Sequence, residues 1–267
     1  MNDPHSLAVR EALSPGLHMS NGDRAPAYEL KFLLPEAHAP RVEDWAATHL
    51  VPDPHAEPRL GNAYRVTSLY LDTPRLDVFH RCPPNQRRKL RLRGYCSSAA
   101  LFLEQKTRRG DRVRKRRTPI CETELLRFRD PPHPPSLSHD ETAPEGNGQD
   151  WCGAWFQKRS IARGLRPTFQ IGCVRSAFLG TGTEGPIRIT LDRHIWGVPN
   201  HDWRLLMGQG GLPLLDGQVV LELKYRSAMP ALFKRLLEEM PLTPCPVSKY
   251  RLAVRAWNAG GEVHPVG

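Results

Sequence analysis

Charged and apolar residues alternate along several short stretches of this chain. In AYELKF, Glu29 and Lys31 fall opposite Leu30 and Phe32. In KLRLR, Lys89, Arg91 and Arg93 fall opposite Leu90 and Leu92. LFLEQK sets Glu104 and Lys106 against Leu103, and IRITLD sets Arg188 and Asp192 against Ile187, Ile189 and Leu191. VVLELKY sets Glu222 and Lys224 against Leu221 and Leu223. A period of two is that of a β-strand, so each stretch predicts a strand with one apolar and one ionic face. YRVTSLYLD (64–72) and TFQIGCVRSAF (168–178) read as strands by their β-branched and aromatic content.

Helical spacing marks fewer segments. EAHAPRVEDWAATHL follows Pro35 and carries Val42, Trp45, Ala46 and His49 along one stripe. SAMPALFKRLLEEM (227–240) puts Leu232, Phe233, Leu236, Leu237 and Met240 on one side. PRLDVFHR predicts a short helix opened by Pro74, and residues 151–163 an amphipathic one. Residues 1–26 are small, polar and turn-forming and read as a flexible leader. Residues 130–150 are Pro-rich and acidic and read as a flexible insertion. The expectation is one domain over 27–258, with 259–267 as a tail, built of antiparallel strands and a few covering helices.

The charge balance sharpens this picture. Lys and Arg number 38 against 28 Asp and Glu, a net +10, which favours an anionic partner without choosing one. The six cysteines form no CxxC pair and no zinc-like cluster with histidine. They read as reduced thiols, and with no signal-like or membrane-spanning stretch the expected location is cytoplasmic. His55, His80 and His194 read as surface or packing residues.

The charge is densest in LFLEQKTRRGDRVRKRR (101–117). Gly110-Asp111 predicts a hairpin turn, with Arg112, Arg114 and Arg116 on one face of the returning strand. Between Arg87 and Arg117 stand thirteen Lys and Arg, and only Glu104 and Asp111 as acids. Like charges that close repel by about 1 kcal/mol per pair at 4 Å in water, and by more where the dielectric is lower. A sheet with one wet face would also alternate. Yet wet faces usually mix Ser, Thr and Gln among their charges, and here Glu-x-Lys or Arg-x-Arg recurs instead. The recurrence favours a barrel whose ionic faces point inward around a polyanion, with helices over the apolar faces.

The ordered set YELKF, YRVTSLYLDT, RKLRLRGY, FLEQKTRRGDRVRKRR, VRSAF, IRITLD, LELKYR and VSKYRL resembles the VTC domain. That is the polyphosphate-polymerase branch of the CYTH-like triphosphate tunnel metalloenzymes. The likeness runs from about residue 28 to 255. It implies an α+β fold: an antiparallel tunnel barrel of about eight strands with helices packed outside. It also implies site residues. Lys31, Arg91, Arg93, Lys106, Arg175, Arg188, Lys224 and Lys249 match phosphate-binding positions, and Arg91, Arg93, Lys106 and Lys249 are the catalytic candidates. Within RVRKRR the register is open between Lys115 and Arg116; Arg114 and Arg116 are assigned to phosphate. Glu222 matches a carboxylate holding Mn2+ or Mg2+, with Glu29 and Glu104 as further metal candidates.

One departure bears on the chemistry. The triphosphatase branch opens with ExExK, whereas Ala27 stands two before Glu29 and Val220 two before Glu222. Fewer carboxylates and more cations fit a polymerase better than a two-metal hydrolase. The resemblance therefore implies phosphoryl transfer from ATP to a growing polyphosphate chain. The alternatives are an inorganic or nucleoside triphosphatase on the same fold and a non-catalytic polyanion-binding module. Strand-borne charges without interleaved exposed aromatics argue against nucleic acid. No P-loop or protein-kinase motif set is present. A membrane-protein partner and the oligomeric state are left open.

Overall fold

The alternating segments all become strands in a computed structural model, which describes residues 25–96, 98–129, 151–208, 210–240 and 242–260. The expected leader, apart from its last two residues, and the expected 130–150 insertion lie outside the described residues. The strands are β1 (Ala27–Pro35), β2 (Val51–Pro52), β3 (Ala63–Asp72), β4 (Arg88–Tyr95), β5 (Ser98–Arg109), β6 (Arg112–Ile120), β7 (Arg166–Gly182), β8 (Gly185–Pro199), β9 (Leu212–Pro213) and β10 (Gln218–Tyr225). The helices used below are α1 (Ala39–His49), α2 (Asp77–His80), α3 (Ala154–Ala162), α4 (Ala231–Glu239) and α5 (Lys249–Gly260).

The strand order is β2-β7-β3-β4-β5-β6-β1-β10-β8-β9, antiparallel throughout, and β7 also pairs with β8. That last pairing closes eight strands into a ring, with the two-residue strands β2 and β9 laid beside β7 and β8. The tunnel barrel expected from the sequence is therefore present.

Residues opposite each other in an antiparallel pair share a face, so the register sorts inside from outside. Outside lie the apolar residues. Phe32, Leu34, Ile189, Leu191, Leu221 and Leu223 pack under α1 and α4, against Val42, Trp45, Phe233 and Leu236. On the far side Leu90, Leu92, Leu101 and Leu103 join the core that contains Phe156 of α3. Burying a side chain of this kind contributes about 1.5–3 kcal/mol. These two outer cores hold the ring shut, and the ionic residues are left to face inward.

Two helix starts differ from the sequence reading. Pro74 does not open α2, which begins at Asp77. The reason is Asp72, buried one residue before Thr73, whose carboxylate accepts the N–H groups of Thr73 (2.7 Å), Val78 (2.8 Å) and Phe79 (3.0 Å). The first free amides of the helix are thus satisfied from the strand end. Helix α4 starts at Ala231, after Pro230 at its N-cap, because Pro fixes an extended ψ there and lacks an N–H.

Candidate functional site

The inner face is continuous around the ring. Glu29 faces Lys224, Lys31 faces Glu222, and on the next strand Glu222 faces Thr190 and Lys224 faces Arg188. Asp192 faces Arg175, and Arg175 faces Tyr64. Across β3, β4, β5 and β6, Ser68 faces Arg93, Tyr70 faces Arg91, Arg91 faces Glu104 and Lys106 faces Lys115. Glu29, Arg91, Arg93, Lys106, Lys115, Arg175, Arg188, Thr190, Glu222 and Lys224 line one cavity that opens to solvent.

Most of the sequence-based candidates are brought together there. Lys31 and Lys249 are not among its lining residues, but each pairs with a carboxylate of the inner face. Lys31 pairs with Glu222 at 3.4 Å and also donates to the Val247 carbonyl. Lys249, at the start of α5, pairs with Asp192 at 2.5 Å. Arg175 holds the same carboxylate in a fork, Nε at 2.6 Å and Nη2 at 2.8 Å. Lys106 contacts both oxygens of Glu29 at 3.0 Å. Arg188 donates to Asp53 at 2.7 Å and to the Tyr64 hydroxyl at 2.8 Å.

Three candidates lie elsewhere. Arg114 and Arg116 are opposite Thr107 and Gln105, so both project from the outer face of the ring. The guanidinium of Arg116 lies on Trp155 of α3, 4.3 Å from the ring centroid. They are not phosphate ligands of the cavity. The inward residues of this strand are Lys115 and Arg117. The turn itself carried the signal. With two residues at its tip, Arg109 faces Arg112, and counting back three on each side sets Lys106 against Lys115.

Glu104 is the third. It is 1% exposed and enclosed by guanidinium groups. Arg91 donates from Nε at 2.7 Å and Nη2 lies at 2.6 Å; Arg117 Nε lies 3.1 Å away on the other oxygen and Arg93 Nη1 at 3.9 Å. Burial alone would raise its pKa, but Arg91, Arg93 and Arg117 hold it well below the usual carboxylate range. Arg91 grips one oxygen with two nitrogens and Arg117 lies beside the other, so Glu104 anchors the arginines, and it is not among the residues that line the cavity. The metal candidates that remain are Glu29 and Glu222. Glu222 is likewise held low, against burial, by Lys106, Lys31, Arg175 and Lys249.

Several contributors escaped the sequence reading. The Thr190 hydroxyl, 3% exposed beside Glu222, has no hydrogen-bond partner among the described residues. A buried hydroxyl left so costs roughly 1–3 kcal/mol unless something else satisfies it. It sits on the cavity wall, where a bound oxygen anion or hydrated cation would do so. A lone Thr in IRITLD gives no signal of this kind. Tyr70 accepts from Arg91 Nη1 at 2.9 Å and stacks on Tyr250 with ring centroids 5.4 Å apart. Lys89 donates to the Ser248 hydroxyl at 2.8 Å. Burial raises the Tyr70 phenol, but Arg91, Arg93, Lys89 and Lys249 outweigh it and bring it to about 7. Lys89 is lowered to about 8, first by burial and then by Lys31, Lys106 and Arg81, with Tyr70 opposing.

These two groups predict a pH dependence. Their ordinary values are 10.0 and 10.5, so above about pH 7 the unfolded chain keeps protons that the folded chain sheds. The unfolded state then binds more protons, and stability rises with pH. The ligand-free protein should melt at a higher temperature at about pH 8.5 than at about pH 7, and Tyr70→Phe should flatten that rise. Calorimetric melts across this window check it; a flat wild-type profile, or an equally steep one in the variant, contradicts it.

The comparisons with known proteins can be set beside this geometry. Among curated proteins none matches the chain significantly in sequence. Among solved structures, a proposed adenylate cyclase of Bacillus halodurans aligns over 84% of this chain and 94% of its own, at 12% identity and TM-score 0.48. HpAC1 of Hippeastrum, a proposed adenylyl cyclase with a dominant triphosphatase activity, aligns over 86% and 96% at 14% identity and TM-score 0.46. A Pyrococcus horikoshii OT3 protein aligns over 86% and 99% at 12% identity and TM-score 0.46. The family model of the VTC domain matches residues 26–258, nearly the whole chain and the entire ring of strands. By that match the chain belongs to the VTC domain family.

Proposed function

We propose that this chain is a polyphosphate polymerase-type phosphotransferase, acting in the cytoplasm on ATP and a growing polyphosphate chain. The observation that carries the reading is the wall of the cavity: Arg91, Arg93, Lys106, Lys115, Arg175, Arg188 and Lys224 against only Glu29 and Glu222. Such a wall matches a linear polyanion, whose charges it neutralises along its length. The guanidinium groups of Arg91, Arg93 and Arg188 bring fixed positive charge and N–H donors that suit phosphate oxygens.

In the transfer, the bond from the γ-phosphorus to the β,γ-bridging oxygen breaks and a terminal oxygen of the acceptor chain bonds to that phosphorus. ADP departs with the bridging oxygen. Little covalent work falls to the protein; it positions the two ends and offsets charge in the transition state. The arginines are already held in place, Arg91 by Glu104 and Tyr70, Arg93 by Ser68 at 3.0 Å, so little reorganisation accompanies binding.

A divalent ion fits this wall in one manner. Among the described residues no three His, Cys, Asp or Glu side chains converge on a metal position. Mg2+ and Mn2+, however, are commonly held by one or two carboxylates, with phosphate and water oxygens completing the shell. Glu222 and Glu29 would supply that contact, with the unpartnered Thr190 hydroxyl beside them. When bound, such an ion supplies positive charge to the reacting phosphates. The same donor set weighs against a two-metal hydrolase, since each carboxylate is already matched by a lysine.

The test is incubation of the purified protein with ATP and Mn2+, followed by gel analysis of products. Growing polyphosphate ladders support the reading; release of inorganic phosphate alone places the protein with the triphosphatases. Glu222→Gln should abolish metal-dependent turnover while shifting the melting temperature by no more than a few degrees, because Glu222 is 19% exposed and its pair with Lys31 is long, at 3.4 Å. Unaltered turnover at limiting metal would remove Glu222 from the metal site.

A further inference from the structure

The even-numbered arginines of β6 do not line the cavity. Arg112, Arg114 and Arg116 stand on the outer face of β6, opposite Arg109, Thr107 and Gln105 of β5. Arg88 of β4, opposite Thr107, extends the same outer row. Between Gln105 and Cys121 the only acidic residue is Asp111, at the hairpin tip. Same-face side chains on a strand recur every 6.8 Å or so, which places these guanidinium groups close enough to repel one another.

Aromatic rings hold some of them in position. Arg112 lies over Tyr28 at 5.3 Å, and Tyr28 stacks on Tyr225. Arg116 lies over Trp155. The strip is also continuous with the cavity. Lys106 and Lys115 line it, and Arg108 follows two residues later on the same face of β5, at the exposed rim. From Arg108 the hairpin tip leads directly to Arg109 and Arg112 on the outside.

We propose that the rim and outer face of the β5–β6 hairpin bind polyphosphate that extends beyond the tunnel. This rests on the cavity's being a polyphosphate site, as argued above. A single linear chain suits the strip, which is about two strands wide, or roughly 5 Å between strand axes. Lys115, Arg108, Arg109 and Arg112 give such a chain one path to follow round the tip, past Asp111, which pairs with Arg108 at 3.4 Å. Short phosphates occupy the cavity alone, and long ones gain affinity outside it.

The experiment compares triphosphate with polyphosphate of about a hundred residues by calorimetric or fluorescence titration at low and moderate salt. The variant is Arg109→Gln/Arg112→Gln/Arg114→Gln, with the corresponding triple Lys variant as a charge-preserving control. The Gln variant should lose about tenfold or more in affinity for the long chain at low salt, with a shallower salt dependence. Its triphosphate affinity should stay within twofold, and the Lys variant should keep most of the long-chain affinity. Unchanged long-chain binding, or equal loss for both ligands, overturns the proposal. If RNA loses affinity and polyphosphate does not, the strip is a nucleic-acid surface and the proposal fails. Turnover plays no part in the readout, so a protein that binds long chains but makes none refutes the proposed activity and leaves this strip in place.

Discussion

Glu104→Gln should destabilise the protein by about 3–5 kcal/mol, the usual result of removing one partner from a buried ion pair. Glu104 has the least exposed side chain of the inward-facing carboxylates, at 1%, and it is shared by Arg91, Arg93 and Arg117. Glutamine keeps the shape and removes the charge. Three guanidinium groups then face each other across a cavity that also carries Lys106 and Lys115. For a chain of this length each kcal/mol moves the melting temperature by roughly 2–4 °C, so a fall on the order of 10 °C is expected. Thermal or urea unfolding reads it. A loss below about 1 kcal/mol would show that the cluster is relaxed by water and that Glu104 is not its anchor. Glu222→Gln gives the contrast, with activity lost and the melt nearly kept. The two glutamates share the strand pattern Glu-x-Lys and do different work.

Acid should act through the same carboxylates. Glu104, Asp192 and Glu222 all have folded-state pKa values below their ordinary ones. Each contributes stability that is present above the unfolded value and is lost as pH falls through the folded one.

The recurrence of ionic and apolar alternation favoured a barrel with inward charges over a wet sheet face, and the closed ring agrees with it. Phe32, Leu90, Ile189 and Leu221 had to be covered, and only inward ionic faces could collect Lys31, Arg91, Arg188 and Glu222 in one place. What the alternation could not supply was the pairing between strands. Glu-x-Lys looks alike in LEQK and in LELK, yet Glu104 is flanked by Arg91 and Arg117, whereas Glu222 is flanked by Lys31 and Thr190. Their neighbours, far away in sequence, make one an anchor and the other a candidate metal ligand. Tyr70 likewise reads as a core aromatic until β4 and α5 bring Arg91, Lys89 and Lys249 beside it. The misassigned Arg114 and Arg116 have a different origin. Their register follows from the Gly110-Asp111 turn, and a one-residue slip moves every side chain to the opposite face.

That slip also supplies the most direct test of the central claim, that the ionic faces of these strands enclose a polyanion. Triphosphate affinity is to be measured by titration calorimetry for the wild type, Lys115→Ala and Arg114→Ala, with sulfate at equal ionic strength as control. Lys115 and Arg114 are adjacent cations of one strand that face opposite sides of the sheet. Losing a charge-assisted contact typically costs about 1.5–3 kcal/mol, so Lys115→Ala should weaken triphosphate by roughly ten- to a hundredfold. Arg114→Ala should change it by less than about twofold, and sulfate should bind far more weakly than triphosphate to all three proteins. At a hundred times its dissociation constant, triphosphate should stabilise the wild type by about 2.7 kcal/mol. If Lys115→Ala and Arg114→Ala lose affinity equally, or sulfate matches triphosphate, the basic strands are a solvated surface and the tunnel holds no polyanion.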